Sequence, residues 1–334
     1  MASGTGNIHP ILTIAIPTWN RANILRQALG YLLPQIDPYK NDVEIIISDN
    51  ASDDNTEDVV KQIQIQYPEL LIIYNRNETN IQFYGNFMKC RDLAEGEYLW
   101  LLSDDDYVLN GVIPELLFEL KKNWDCAVIY FKRNTKLSTF QRHKYSKDEI
   151  IKRETYKIGL ISTVVFLNKK ENDFFVSSKF KGNAFIGFVF FLESFKYRSD
   201  VIVLEGNSFK TSNSIPKGYN WFDVFVNDMQ QVIDYFVEVK ISRNTIDHYR
   251  TKYLLEFILP TYILFKAEKR LKFGIFETNP IEEVENWIHE KYSDILLYWI
   301  LFIPLVKFPY FIFKWVLVIR RGIKKYTFKP KPTT

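Results

Sequence analysis

Short apolar runs alternate with amphipathic stretches along the first 131 residues. Residues 11–17 (ILTIAIP) form an apolar run closed by Pro17, and residues 20–33 then set Ile24, Leu25, Ala28, Leu29 and Leu32 at helical spacing. The unit repeats. Residues 43–48 (VEIIIS) lead through a polar turn to a helix over 57–67, and residues 70–74 lead to one over 81–94. Residues 98–102 predict a fourth strand, 113–121 a helix and 127–131 a fifth strand. Strands so continuously apolar are buried on both faces, as in a parallel sheet covered by crossover helices. The pattern predicts an α/β fold with a doubly wound, mostly parallel, Rossmann-like sheet.

Ligands of such sheets bind outside the carboxyl ends of the strands. Polar side chains collect there: Thr18, Trp19 and Asn20 after the first strand, Asp49 and Asn50 after the second, residues 75–80 after the third, and Asp104, Asp105 and Asp106 after the fourth. Three adjacent carboxylates repel one another and favour a cation among them. Mg²⁺ or Mn²⁺, which takes oxygen ligands and bridges protein carboxylates to a diphosphate, suits them; a solvated acidic turn capping the next helix is the plainer alternative. Asp49 offers a carboxylate to the imino group of a nucleobase, while Asp49, Ser52 or Asp53 equally suits a helix cap. No GxGxxG, GxxxxGK[ST] or GxSxG sequence occurs, which argues against dinucleotide-dependent oxidoreductases, P-loop ATPases and α/β-hydrolases.

Four segments, IAIPTWNR (14–21), EIIISDNASDDNT (44–56), YNRNETNIQFYGNF (74–87) and GEYLWLLSDDD (96–106), resemble in order and spacing the nucleotide-sugar half of family 2 glycosyltransferases with the GT-A fold. The likeness covers about residues 10–131, and WLLSDDD is similar to bacterial O-antigen and capsule enzymes of the abequosyltransferase-like type. The resemblance implies a metal-dependent transferase using a nucleoside-diphosphate sugar. Pro17, Thr18, Trp19 and Asp49 would line the base and ribose pocket, Asp104 would face the ribose, and Asp105 would be the main ligand of Mn²⁺ or Mg²⁺. Asp106 would support the metal or position the donor sugar. Family members often read Asp-x-Asp-Asp; Ser103 stands at the first position here, so the metal assignment spans Asp104, Asp105 and Asp106. Asn80 and Asn86 match polar positions of the family's third segment, with Arg76 as a diphosphate or base contact, although capping and turn formation account equally for the asparagines.

Inverting transfer also needs a base for the proton of the acceptor hydroxyl. By resemblance this is a carboxylate at a helix start downstream of the metal motif. The matching stretch, 179–200, has Gly182 and Asn183 there and no acid; Glu193 is the nearest carboxylate and a candidate base, although it lies deeper in the predicted helix and an exposed helix carboxylate is the commoner fate of such a residue, and Asp173, Asp223 and Asp228 are further candidates. Residues 132–160, polar and basic with little apolar period, read as a mobile connection or lid. Residues 160–167 regain strand character, and 221–239 and 245–272 have helical periodicity. The expected organisation is an unstructured segment over 1–9, the nucleotide-sugar half over 10–131, a lid and acceptor part over 132–240, a helical region over 241–291 and a tail over 292–334.

Composition changes the picture mainly at the tail. The 334 residues are 47% hydrophobic, with 43 Lys and Arg against 40 Asp and Glu, a net +3 too small for a nucleic-acid binder driven by bulk charge. The two cysteines, Cys90 and Cys126, form no disulfide framework and suit a reducing compartment; the four histidines are scattered without zinc spacing. MASGTGNIHP lacks the basic and apolar regions of a secretory signal. From Lys291 onward, however, nine basic residues stand against one acid.

Residues 295–319 are apolar and aromatic apart from Lys307 and Lys314, and by length could span a bilayer. Pro304 and Pro309 interrupt them, and Lys307, Lys314 and Arg321 recur every seven residues, which favours a helix lying in the membrane plane with its basic stripe on anionic lipid. Arg320, Arg321, Lys324 and Lys325 extend the stripe and fit the cytoplasmic face of a bacterial inner membrane. A core helix pair or an oligomer interface is the alternative. Tail and aspartates together predict a lipid-linked saccharide acceptor, such as a polyprenyl-diphosphate oligosaccharide. The competing class is a non-catalytic GT-A-like membrane-bound subunit of a polysaccharide assembly complex. A nucleotidyltransferase would need a glycine-rich basic loop after the first strand, which the chain lacks.

Overall fold

The computed structural model describes residues 9–123, 125–171, 173–211, 220–268 and 280–307. They fall into two compact units, one drawn from 1–214 and 235–242, the other from 215–234 and 243–334. Residues 1–8 of the expected unstructured segment, and 308–334 of the tail with most of its basic stripe, lie outside the described residues.

The first unit follows the expected alternation. Strands β1 (Leu12–Thr18), β2 (Val43–Asp49), β3 (Leu71–Arg76) and β4 (Tyr98–Leu101) are parallel neighbours in the order β3-β2-β1-β4, joined by helices α1 (Ala22–Ile36), α2 (Thr56–Gln66) and α3 (Gln82–Leu93). Every residue of β2 and β4 is buried, which is why their sequences read as apolar runs. Leu25, Leu29, Leu32 and Leu33 of α1 are fully buried against this sheet, each contributing roughly 1.5–3 kcal/mol of burial.

One polar residue inside this core sets the entry to β4. Glu44, on β2 and 1% exposed, accepts the Thr13 hydroxyl and the backbone N–H groups of Glu95 (2.6 Å) and Gly96 (3.0 Å). Gly96 comes so close to β1 that a Cβ there would lie 2.5 Å from the Thr13 nitrogen. Glycine is required by this close approach.

Beyond β4 the sheet departs from the sequence-based expectation. A short strand β5 (Asp106–Val108) follows the aspartates, then α4 (Val112–Lys122) and β6 (Cys126–Arg133). Strand β6 does not pair with β4. Strand β8 (Val164–Leu167) lies between them, antiparallel to both. Residues 132–160, expected as a mobile connection or lid with little regular structure, supply the end of β6, strand β7 (Gln141–Tyr145) and helix α5 (Lys147–Glu154). Ser146 and Glu149 close α5 with a reciprocal capping box. Helices α6 (Asp173–Lys179) and α7 (Ile186–Ser194) precede β9 (Asp200–Gly206), which runs parallel to β6 and antiparallel to β7. The eight-stranded order is β3-β2-β1-β4-β8-β6-β9-β7, and β10 (Phe209–Thr211) pairs separately with β5. The sheet is mixed, with parallel pairing at the half that carries the polar strand ends.

The second unit is helical, as the periodicity predicts, with helices Arg243–Tyr253, Leu259–Glu268 and Ile281–Tyr292. Its interior is aromatic: Trp221 stacks on Phe257 at 5.1 Å and packs on Phe225 at 4.5 Å, and Tyr262 meets Phe302 at 4.7 Å. Arg250 grips Asp294 through two nitrogens at 2.6 and 2.7 Å. Leu296, Trp299, Ile300 and Leu301 stay 72, 50, 55 and 40% exposed. Among the described residues no helix is long and apolar enough to cross a membrane.

Candidate active site

Because β3, β2, β1 and β4 are adjacent and parallel, their carboxyl ends open on one edge of the sheet, and the polar residues that follow them meet. The Thr18 hydroxyl donates to Asp104 Oδ2 at 2.8 Å, and Arg21 Nη1 donates to Asp104 Oδ1 at 2.7 Å and lies 3.5 Å from Asp105. The Ser103 hydroxyl donates to Asp105 Oδ1 at 2.5 Å. Ser162 braces this loop from the far side, accepting the Ser103 N–H on its hydroxyl and the Trp100 indole N–H on its carbonyl. Asp104 is buried; burial pushes its carboxyl above the ordinary range, and Arg21 and Thr18 offset only part of that. Asp106 begins β5, its backbone paired with Thr211.

Asp49 is fully buried. Its Oδ1 accepts the Ser52 N–H at 2.9 Å and its Oδ2 the Tyr74 hydroxyl at 2.7 Å, with Arg76 Nε at 3.9 Å. Burial and the Asp49 carboxylate push the Tyr74 phenol well above its ordinary value. Arg76 Nη2 also holds the Ser52 carbonyl at 2.9 Å. Trp19, just after β1, is 51% exposed, and Pro17 is half-buried in β1.

The asparagines build the third wall. Asn86, buried at the start of α3, accepts the Ser48 hydroxyl (2.7 Å) and an Asn77 amide hydrogen (3.0 Å) and donates to the Ser48 carbonyl (2.9 Å). Asn80 accepts from Asn50 at 2.9 Å and from the Gln82 N–H at 2.9 Å. Both therefore hold the loop between β3 and α3, the turn-forming alternative that the sequence left open. Asn20 after β1, Ala51 after β2 and Gln82 at the first position of α3 all adopt positive φ (52°, 62° and 63°). Left-handed backbone in non-glycine residues clusters where a site constrains the chain.

The structure does not gather the carboxylates into a three-ligand cage. Among the described residues no group of three His, Cys, Asp or Glu side chains is arranged to hold a metal ion. The donor set fits the other way of binding a hard cation, in which one or two carboxylates share it with substrate phosphates: Asp105, with its side chain 15% exposed, stands beside the buried Asp104.

Glu193 lies elsewhere. It is 5% exposed near the end of α7, bound by the Tyr235 hydroxyl and by Lys196 at 2.6 Å. The Asn183 side chain, 1% exposed, accepts the Phe185 N–H at 2.7 Å ahead of α7. Asp173 is held by the buried Arg91, whose Nε lies 2.9 and 2.8 Å from its two carboxylate oxygens and whose Nη2 lies 2.8 Å from Oδ1. Asp223 and Asp228 belong to the second unit, where Asp223 accepts from Asn227.

Sequence reasoning missed Arg21, Tyr74, Asn77 and Ser162. Arg21 carried a signal, as the cation that closes the segment after β1 opposite a triple aspartate. Ser162 carried none, since its placement depends on β8 inserting beside β4.

The chain is similar to known proteins in sequence and fold. Over 96 residues the chain is 38% identical to the abequosyltransferase RfbV of Salmonella typhimurium, covering 29% of this chain and 28% of that protein. Over 108 residues it is 34% identical to the GalNAc(5)-diNAcBac-PP-undecaprenol beta-1,3-glucosyltransferase of Campylobacter jejuni, covering 32% and 34%. The chain thus spans about a third of the length of these curated relatives. The crystal structure of S. aureus TarS 1-349 in complex with UDP superposes with a TM-score of 0.61 at 16% identity, covering 83% of this chain and 78% of that one, a likeness of fold, which is GT-A. The profile of Glycosyl transferase family 2 matches residues 13–196, and the chain belongs to that family.

Proposed function

We propose that the protein is a metal-dependent glycosyltransferase that moves a sugar from a nucleoside-diphosphate sugar to a lipid-linked saccharide in bacterial surface polysaccharide synthesis. The observation that carries the reading is the placement of Asp49 at the end of β2, Thr18 at the end of β1 and Asp104 and Asp105 just after β4, the carboxyl ends of three adjacent parallel strands, with Thr18 and Arg21 bonded to Asp104.

In this reading Trp19 offers its open face to the nucleobase, and Asp49, covered by Tyr74 and Arg76, receives the imino N–H when the Tyr74 hydroxyl yields. Asp104, oriented by Thr18, binds the ribose. Asp105, held by Ser103, and Asp104 would hold a divalent ion together with the diphosphate, and such an ion would supply positive charge for the leaving phosphate. Asp106 orients the donor sugar. The acceptor hydroxyl attacks the anomeric carbon as its proton passes to solvent water, the bond to the diphosphate breaks with the electron pair leaving on the diphosphate, and transfer inverts the configuration. Glu193, enclosed by Tyr235 and Lys196, is assigned to holding α7 rather than to taking the acceptor's proton.

The acceptor is argued from two observations. One relative is named for a polyprenol-diphosphate-linked saccharide. The exposed Leu296, Trp299, Ile300 and Leu301 lead into the basic sequence from Lys307 onward, a composition suited to lying peripherally on anionic lipid at the cytoplasmic face of the inner membrane.

Turnover tests the reading. Nucleoside-diphosphate sugars would be incubated with the full chain, Mn²⁺ and vesicles holding polyprenyl-diphosphate oligosaccharides. Release of nucleoside diphosphate in step with labelled lipid-linked product is expected. Donor binding without either product in any combination would favour the non-catalytic subunit.

A further inference from the structure

Arg21 sits where a divalent ion would be drawn. Its Nη1 is 2.7 Å from Asp104 Oδ1 and 3.5 Å from Asp105 Oδ2, and it reaches two adjacent carboxylates whose side chains are 5% and 15% exposed. Its backbone is fixed as the residue ahead of α1, next to Asn20 in left-handed conformation. Asn20 is tied to the neighbouring loop through its N–H to Ser52 and its side chain to the Asp53 N–H. The guanidinium is therefore delivered by a braced turn, and its side chain is 30% exposed rather than extended into solvent.

Resting on the donor-site reading above, we propose that Arg21 is a built-in counter-cation that suppresses binding of the free divalent ion and makes metal binding depend on the nucleotide diphosphate. The physical argument is one of linkage. With Arg21 in place the aspartate pair is already half neutralised, so a bare dication meets both a weaker field and a repelling neighbour. A diphosphate brings negative charge of its own, which attracts the dication and gives the guanidinium a second partner. Metal and nucleotide then each raise the other's affinity by the same factor. The site stays unloaded in the absence of donor, and the aspartate loop keeps its shape meanwhile because Arg21 and Thr18 hold Asp104.

The test is titration of the full chain with MnCl₂ alone, followed by the electron paramagnetic resonance signal of free Mn²⁺, and again with UDP, GDP or CDP at saturation. Arg21→Gln is expected to bind Mn²⁺ alone at least tenfold more tightly than the wild type, and to show a smaller gain on adding nucleotide. Arg21→Lys, which keeps the charge, should stay near the wild type. Adding Asp105→Asn to Arg21→Gln should abolish the gained site. If Arg21→Gln does not fold, Arg21→Gln with Asp104→Asn removes both members of the partly buried pair and is compared with Asp104→Asn alone. Equal or weaker Mn²⁺ affinity in the folded variant, or an equal gain in Arg21→Lys, overturns the proposal. Nucleotide binding by the wild type, followed in parallel, separates that failure from failure of the donor site itself.

Discussion

Thr18 and Asp104 stand 86 positions apart in sequence and share a 2.8 Å hydrogen bond, with the hydroxyl at the end of β1 donating to the carboxylate just after β4. The bond exists because β1 and β4 pair in parallel, Leu12 with Tyr98 through Ala15 with Leu101, so that both strands leave the sheet at the same edge. Asp104 is 3% exposed, and a buried carboxylate that loses a donor retains its full desolvation penalty. Thr18→Val keeps the shape and removes the hydroxyl. Urea unfolding should show a loss of about 1–3 kcal/mol, with weaker nucleotide binding alongside. Wild-type stability and wild-type nucleotide affinity in that variant would show that the bond orients nothing.

Asp54 caps two helices at once. Its carboxylate accepts the Ala22 N–H at the start of α1 (3.0 Å) and the N–H and hydroxyl of Thr56 at the start of α2 (3.1 and 2.5 Å). Burial works against its charge, yet the Thr56 and Ala22 hydrogen bonds outweigh it and hold the carboxyl below its ordinary value. A carboxyl depressed in the folded state stabilises the fold above the unfolded-state pKa, about 4, and that stabilisation is lost as pH falls through the folded value. Asp54→Ala should therefore unfold about 1–2 kcal/mol more easily near neutral pH. The gap to the wild type should narrow as pH falls through the lowered folded-state value, below which both proteins lack the charge. A gap independent of pH would assign the effect to packing instead.

Two glycines should respond to alanine with opposite sign. Gly96→Ala would set a Cβ 2.5 Å from the Thr13 nitrogen and 2.8 Å from the Leu12 carbonyl carbon, both rigid β1 backbone, and should destabilise by about 1–3 kcal/mol or more. Gly30 lies inside α1 with nothing within 4 Å of the place an added methyl would take, so Gly30→Ala should stabilise by about 0.5–1 kcal/mol. Thermal melts of the two variants check both signs.

The exposed apolar residues of the second unit give the membrane proposal its own test. Trp299→Ser with Leu301→Ser removes two large side chains that are 50 and 40% exposed. Flotation with vesicles rich in anionic lipid should fall on the order of tenfold or more, and salt should weaken the remaining binding. Unchanged flotation would remove these residues from the contact.

The parallel half of the sheet and its polar edge were legible because burial on both faces writes itself as continuous apolar runs, as in VEIIIS and YLWLL. Strand β7 was not, because QRHKY lies at an exposed sheet edge where little selects apolar side chains. Strand β8 is legible as a strand, but its place between β4 and β6 is a non-local pairing that local pattern does not encode. At the site, residue type and position located Thr18, Asp49 and the aspartates. Their relations needed the fold: Asp49 is sealed under Tyr74, Asn80 and Asn86 serve the loop, and Arg21 neutralises the aspartates. Glu193 misled because a carboxylate in an apolar helix signals a hidden partner as readily as a catalytic role, and here the partners are Tyr235 and Lys196.

The central claim, that the strand ends bind a nucleoside diphosphate with a divalent ion through Asp105, is tested most directly by calorimetric titration of UDP, GDP, CDP and ADP into the full chain with and without Mn²⁺, alongside Asp105→Asn. One nucleotide should bind, more tightly with Mn²⁺ present, and Asp105→Asn should lose the metal-dependent part while remaining folded. Binding of none of them, or binding by Asp105→Asn as strong and as metal-sensitive as that of the wild type, would contradict it.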